Sequence, residues 1–444
     1  MGSLSGVGPE GSLGSLGSLG SLGSLGSLGS LGSLGSLGSL AGGGNPPLVV
    51  NALISNHDGI AGTWQPVAGA DVDADKEENT CYLARLSPGV RASIFAQEIG
   101  SRIGFRYDKD DAIARVFHLE TDIAAMEADI AVAPLTKYQT LMEMKRPSQK
   151  IFGEQLTLIA NYADLRQDRA GEVIAQLSPP LEFLRAIAFV EPDRTPFTVE
   201  LLGMALWLAN DVEMRLKYSL ACKRPIEWSP QIQPMIWTPT HGSLPSGHAT
   251  ESFCMAQVLW SLLRASGTKP YSGQLWGEMM MRQAARIAIN RTVAGVHFPV
   301  DSAAGAVLGL NLAEYFVNRC KNEAVTMGWG FDGAKYTNTG MPAGSAANLD
   351  FDWRQYYNSS GANPGLKDDT AWVSQIPFAN SLVDSPSEPL NWLWRKAKAE
   401  WTAFGNCKCK CGCDGTCGCE CDGKCKCACC EADEEASEGG ASCP

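Results

Sequence analysis

Several things are missing from this sequence. It has no excess of positive charge: 36 Lys and Arg face 48 Asp and Glu, for a formal net charge of −12. No basic stripe of the usual kind is present, which argues against nucleic-acid binding. No uninterrupted apolar run reaches the roughly 20 residues that cross a bilayer. Phe253 to Leu263 and Ala303 to Leu312 are of a length for core helices, so no transmembrane span is expected. A basic segment followed by an apolar one is lacking near residue 1, so no signal peptide is expected, and the expected location is cytoplasmic. Cysteine is scarce before residue 400, where only Cys81, Cys222, Cys254 and Cys320 occur. Strand-like alternation is scarce throughout.

What is present divides into four stretches. In residues 1–44 the triplet Gly-Ser-Leu repeats ten times between Gly11 and Leu40. Proline is absent from the repeat, which excludes a collagen-like helix, and Gly with Ser opposes an α-helix. A disordered arm is expected there. From residue 45 the composition turns globular, and with 45% hydrophobic residues overall it supports a sizeable core. Residues 51–66 suggest an extended piece with a helix start. Helical spacing is expected over Leu86 to Gly104, and over Ala112 to Glu143 with a break near Ala133-Pro134. It continues over Ile151 to Leu165, Ala170 to Leu177 and Leu181 to Val190. Thr195-Pro196 reads as a cap residue followed by a first-turn proline, opening a helix that runs to about Lys223, where Arg224-Pro225 ends it. An irregular loop over Ile226 to Gly242 precedes helices at Ser246 to Ala265, Gly277 to Asn290 and Pro299 to Asn318. Residues 324–385 read as long loops, and Leu390 to Phe404 as a short helix with Trp392, Trp394 and Trp401 in packing roles. The expected fold class is all-α, a helical bundle over residues 45–405 with disordered tails at both ends.

Residues 406–430 are of another kind. Cys407, Cys409, Cys411, Cys413, Cys417, Cys419, Cys421, Cys425, Cys427, Cys429 and Cys430 crowd into a stretch without a large hydrophobic residue. Alternate cysteines are poorly placed to bridge one another, whereas thiolates at this spacing wrap soft metals such as Zn(II), Cu(I) or Cd(II). Gly412, Gly415 and Gly418 allow tight turns around such a cluster. The density of Cys-x-Cys resembles that of metallothioneins. Residues 431–444 form an acidic, solvated end.

The chemistry-bearing residues lie between Lys217 and Asp301. Pro245-Ser246-Gly247-His248 reads as a tight turn feeding a helix N-terminus, where free N–H groups and the positive dipole end favour an anion. Lys217 and Arg224 are seven residues apart, about two helical turns, which places both cations on one face. Arg291, Gly295, His297 and Asp301 form a third cluster, with Asp301 spaced to orient the His297 imidazole. Three cations, a hydroxyl, a glycine amide and two histidines suit a tetrahedral oxyanion. One histidine can bind or attack the central atom, and the other can move protons.

In this order and spacing, Lys217, Arg224-Pro225, Pro245-Ser246-Gly247-His248, Arg291, His297 and Asp301 resemble one superfamily. It joins vanadium-dependent haloperoxidases, type-2 phosphatidic-acid phosphatases and bacterial class A acid phosphatases. The one departure from the signature is Asn290, where the family usually has Ser. The resemblance implies that Lys217, Arg224 and Arg291 neutralise the oxyanion while Ser246 and the Gly247 amide hydrogen-bond its oxygens. It makes His297 the ligand of vanadium or the nucleophile toward phosphorus, His248 the acid–base residue and Asp301 the support of His297. His241, seven residues before His248, matches a second histidine of bromide-oxidising haloperoxidases. Met214 stands where characterised haloperoxidases often have Trp.

The haloperoxidase branch implies vanadate as cofactor, with hydrogen peroxide, a halide (bromide or iodide before chloride) and a small organic acceptor as partners. A soluble acid phosphatase acting on phosphate monoesters is the alternative. A metal-storage protein with a non-catalytic helical domain is the third reading. The oligomeric state is open, a homodimer among the options.

Overall fold

The computed structural model describes residues 47–63, 82–121, 136–337 (apart from 179, 269, 270, 272 and 324), 350–359, 364–382 and 386–402. The Gly-Ser-Leu repeat, the cysteine-rich segment and the acidic end lie outside the described residues.

The fold is mainly helical, as expected. Helices α1 (Pro47–Ala61) and α2 (Pro88–Gly100) come first, followed by strands β1 (Ile103–Asp108), β2 (Ile113–Thr121) and β3 (Thr136–Lys145). Then come α3 (Gln149–Tyr162), α4 (Arg166–Ala175), the one-turn α5 (Leu181–Arg185) and the long α6 (Pro196–Leu220). The short α7 (Pro225–Trp228) leads into α8 (Gly247–Ala265), α9 (Gln274–Val293) and α10 (Pro299–Lys321). The remainder is β4 (Val325–Asp332), β5 (Tyr357–Asn358), β6 (Gly365–Leu366), β7 (Val373–Leu382) and α11 (Glu388–Thr402).

Three stretches depart from the sequence expectation, the first being residues 51–66, expected to be extended with a helix start, where α1 is already helical from Pro47 to Ala61. Within residues 112–143, expected to be helical, the described part forms β2 and β3 in a mixed sheet of order β1-β2-β3-β4-β7, and residues 122–135, with the expected break near Ala133-Pro134, lie outside the described residues. Neighbours run antiparallel except β3 and β4, which are parallel. The stretch 324–385, read as loops, supplies β4 and β7. The buried face of β2 explains the miss over 112–143, because it carries Ala114 and Val116 followed by the polar His118 and Glu120. Glu120 is bound by Arg102 at 3.0 Å, so polar residues break the apolar alternation that marks a strand. In β4, glycine removes the signal. A Cβ on Gly328 would lie 2.0 Å from the Thr140 carbonyl oxygen on β3.

The sheet packs on the bundle through α10, where Asn311 Nδ2 donates to the Leu141 carbonyl at 2.8 Å. Helix α6 begins at Pro196 as expected, but Thr195 does not cap it. Its hydroxyl donates to the Glu191 carbonyl. The Glu400 carboxylate of α11 takes over the cap, accepting from the Phe197 and Thr198 amides at 2.7 and 2.9 Å. Trp392, Trp394 and Trp401 are buried, in keeping with their packing role.

Candidate active site

The site forms where α8 and α10 begin side by side. Two glycines of α10 permit this approach. A Cβ on Gly305 would sit 2.5 Å from the Ser246 carbonyl oxygen, and one on Gly309 would sit 2.3 Å from that of Thr250. The two N-termini are further tied by the Ser246 amide, which donates to the Asp301 carbonyl at 2.9 Å. Ser246 occupies the N-cap position of α8, yet its hydroxyl makes no capping bond. That Oγ is buried and unpartnered, beside the free amides that open the helix.

Lys217 and Arg224 meet by a route other than a shared helix face. Helix α6 stops at Leu220, and Ala221 takes a left-handed φ of 45° that turns the chain. Lys217 Nζ donates to the Pro245 carbonyl and so reaches the turn before Ser246. Arg224 is the N-cap of α7, its amide held by the Glu227 carboxylate at 2.6 Å. Its guanidinium then fastens both flanking histidine segments. Nε donates to the His241 carbonyl at 3.0 Å, Nη2 to His241 Nδ1 at 3.0 Å, and Nη1 to the Val296 carbonyl and His297 Nε2, both at 2.9 Å.

His297 is thereby bracketed. Its Nδ1 lies 3.1 Å from Asp301 Oδ2, an acceptor, so the proton sits on Nδ1 and the lone pair on Nε2 faces Arg224. Asp301 also accepts the Phe298 amide at 2.9 Å and the Ser243 hydroxyl at 3.4 Å. Burial pushes the Asp301 carboxyl up, opposed by that amide and by Arg224 and Lys217. His248 Nε2 donates to the Gln176 carbonyl at 2.8 Å, which leaves Nδ1 as its acceptor nitrogen.

Burial sets the charge states. It holds His297 and His248 well below the ordinary histidine value, with Arg224 and Lys217 adding to it at His297 and Arg291 at His248. Burial with Lys217 and Arg224 takes His241 down to about 3. All three rings are neutral near pH 7. Burial brings Lys217 down to about 8, with Glu213 pulling the other way, and lowers both Arg224 and Arg291 to about 10. The cations remain charged at neutral pH.

Sequence reasoning missed the residues of α4 and the turn after it. Gln176 supplies the carbonyl that holds His248, and its Oε1 accepts from Arg291 Nη2 at 3.1 Å and Asn290 Nδ2 at 2.9 Å. Asn290, the departure from the family signature, thus has a structural role; its Oδ1 also accepts from Arg169 at 2.9 Å. Arg166 donates to the carbonyls of Val293, Ile232 and Gln233 at 2.9, 3.0 and 2.8 Å. Gly295 makes room for it, since a Cβ there would lie 2.7 Å from Arg166 Nη2. These partners lie far from the motif in sequence, so no local pattern announces them.

Arg224, His241, His248, Arg291 and His297 line one pocket, walled by Ile236, Trp237, Pro239 and Val296. Lys217, Ser246 and Asp301 are buried and do not themselves line it. Arg291 keeps Nε and Nη1 buried without partners, as Ser246 does its Oγ. Buried donors left unpaired cost free energy. A tetrahedral oxyanion would satisfy them, and a cation would not. Among the described residues no group of three or more His, Cys, Asp or Glu is placed to hold a metal cation.

Compared with known protein families, residues 199–323 match the PAP2 superfamily. This part of the chain is a PAP2 superfamily domain. It runs from the first turn of α6 past the end of α10 and contains every motif residue from Lys217 to Asp301. No curated protein matches the chain. Gln176, Arg166 and Arg169 lie outside the PAP2 span, so α4 buttresses the domain from the adjoining segment. No helix among the described residues is long and apolar enough to cross a membrane.

Proposed function

We propose that the protein is a vanadate-dependent haloperoxidase that oxidises bromide or iodide with hydrogen peroxide. The PAP2 superfamily includes phosphatases and haloperoxidases, and the site chemistry suits a tetrahedral oxyanion. One observation carries the reading: Arg291 and a neutral His297 line one pocket, with buried, unpartnered donors on Arg291 and on Ser246 at the head of α8. Vanadate held by His297, Arg291, Arg224, Lys217 and Ser246 would supply Lewis acidity without a change of metal oxidation state.

The protein's own residues have separable tasks. Arg291 and Ser246 donate to the oxyanion, with the Gly247 amide at the head of α8. Lys217 and Arg224 supply positive charge. His297 offers its Nε2 lone pair, kept in register by Asp301 on Nδ1. His248, anchored through Nε2, has Nδ1 available to accept and return a proton. His241 lines the pocket and is held by Arg224, and its place seven residues before His248, like the second histidine of bromide-oxidising haloperoxidases, supports the bromide-type reading. We further propose that Cys407 to Cys430 bind soft metal such as zinc or copper, independently of the pocket.

Phosphate monoester hydrolysis is the second reading, favoured by the same neutral His297 as nucleophile. Reconstitution separates the two. After incubation with orthovanadate, peroxide-dependent bromination of a phenol is expected. Turnover of p-nitrophenyl phosphate with no bromination would hand the site to the phosphatase reading.

A further inference from the structure

The stretch from Ser229 to His241 forms a strap along one wall of the pocket. Pro230, Pro234 and Pro239 fix φ at three positions. Arg166 grips the strap by the carbonyls of Ile232 and Gln233. The Met235 amide donates to the Ala294 carbonyl at 3.0 Å. Met235 and Ile236 pack against Val173, Ala294 and Val296. The strap is therefore held in one shape from behind.

Its tip is left uncovered. Trp237 is 81% exposed, the most exposed large apolar side chain among the described residues. Trp260, Trp392, Trp394 and Trp401 are each 5% exposed or less. An indole that served packing would be turned inward like these, since leaving it in water forgoes its burial free energy. Trp237 instead lines the same pocket as His248, Arg291 and His297, and Ile236, Pro239 and Val296 continue an apolar wall.

We propose that Trp237 is a stacking platform that selects a planar aromatic group at the mouth of the pocket. That group is carried on the oxyanion itself or held next to it. The proposal rests on the oxyanion reading of the floor and is indifferent to whether the anion is vanadate or a phosphate ester. Ring stacking of this kind is worth roughly three- to tenfold in affinity. The stiff strap keeps the ordering cost of binding low.

Calorimetric titration of the full-length protein with inorganic phosphate, methylphosphonate and phenylphosphonate tests it. Phenylphosphonate is expected to bind roughly three- to tenfold more tightly than methylphosphonate. Trp237→Ala removes that preference, Trp237→Phe keeps most of it, and ringless phosphate binds all three proteins alike. Equal affinities for the two phosphonates, or a preference that survives Trp237→Ala, overturns the platform and leaves the oxyanion floor in place. Failure of phosphate itself to bind overturns both. Light scattering covers another use of the indole. A dimer that Trp237→Ala converts to monomer, with the ring preference intact, makes Trp237 an interface residue and overturns the proposal.

Discussion

On the floor of the pocket, Lys217, Arg224, Ser246, Arg291 and His297 are each 4% exposed or less, whereas Trp237 at its mouth is 81% exposed. The floor is tied together by side chains that reach across distant segments, such as Arg224 to His297 and Arg291 to Gln176. The strap is held largely through its backbone carbonyls and amides. Position and charge matter on the floor, where a small displacement leaves a buried ion without its partner. Shape and apolar area matter at the mouth, where displacement costs little. The floor and the mouth are thus separately supported parts.

Changing the floor should have the largest effect. His297→Ala is expected to lower peroxide-dependent bromination by about 10³-fold or more. Metal bound by the cysteine-rich segment, read by elemental analysis, should not change. Next comes the helix contact under the floor. Gly309→Ala drives a methyl group into the Thr250 carbonyl and should cost about 1–3 kcal/mol in urea unfolding, with weaker phosphate binding. Gly171→Ala in α4, where a Cβ meets nothing within 4 Å, should be neutral or stabilise by up to about 1 kcal/mol. Equal losses at both glycines would break the argument from close approach.

A smaller effect is expected from pH. Lys217 has its value depressed to about 8, so its charge is present below that and lost as pH rises through it. Phosphate affinity should therefore fall over that range, although phosphate itself is already dianionic. Lys217→Gln should weaken binding at neutral pH and flatten the step. A step that persists unchanged in Lys217→Gln assigns it to another group. The smallest effect belongs to the sheet, which contributes no side chain to the pocket. Arg115→Ala breaks a partly exposed pair with Glu143 at 2.9 Å and should cost less than about 1 kcal/mol. Activity should stay at the wild-type level.

Legibility in the sequence followed the same division. Helices α6, α8, α9 and α10 were readable within a few residues from their helical spacing, and α6 and α10 also from a proline start. The motif residues were readable because their chemistry is dense and their spacing short. The sheet was hidden by His118 and Glu120 on the buried face of β2 and by the glycines of β4. Gln176 and Arg166 were hidden because they act through contacts more than 60 residues away in sequence. The convergence of Lys217 and Arg224 was anticipated, but its cause was a left-handed turn at Ala221, a residue type with no preference for that conformation.

Arg166 binds carbonyl oxygens only, at Val293, Ile232 and Gln233. Every amino acid carries a carbonyl, so this clasp is blind to which side chains the strap displays. Residues at the tip can be exchanged without loosening the clasp or disturbing the anion cradle beneath. A change at Trp237 or Thr238 therefore alters what the strap displays while the Arg166 clasp stays closed.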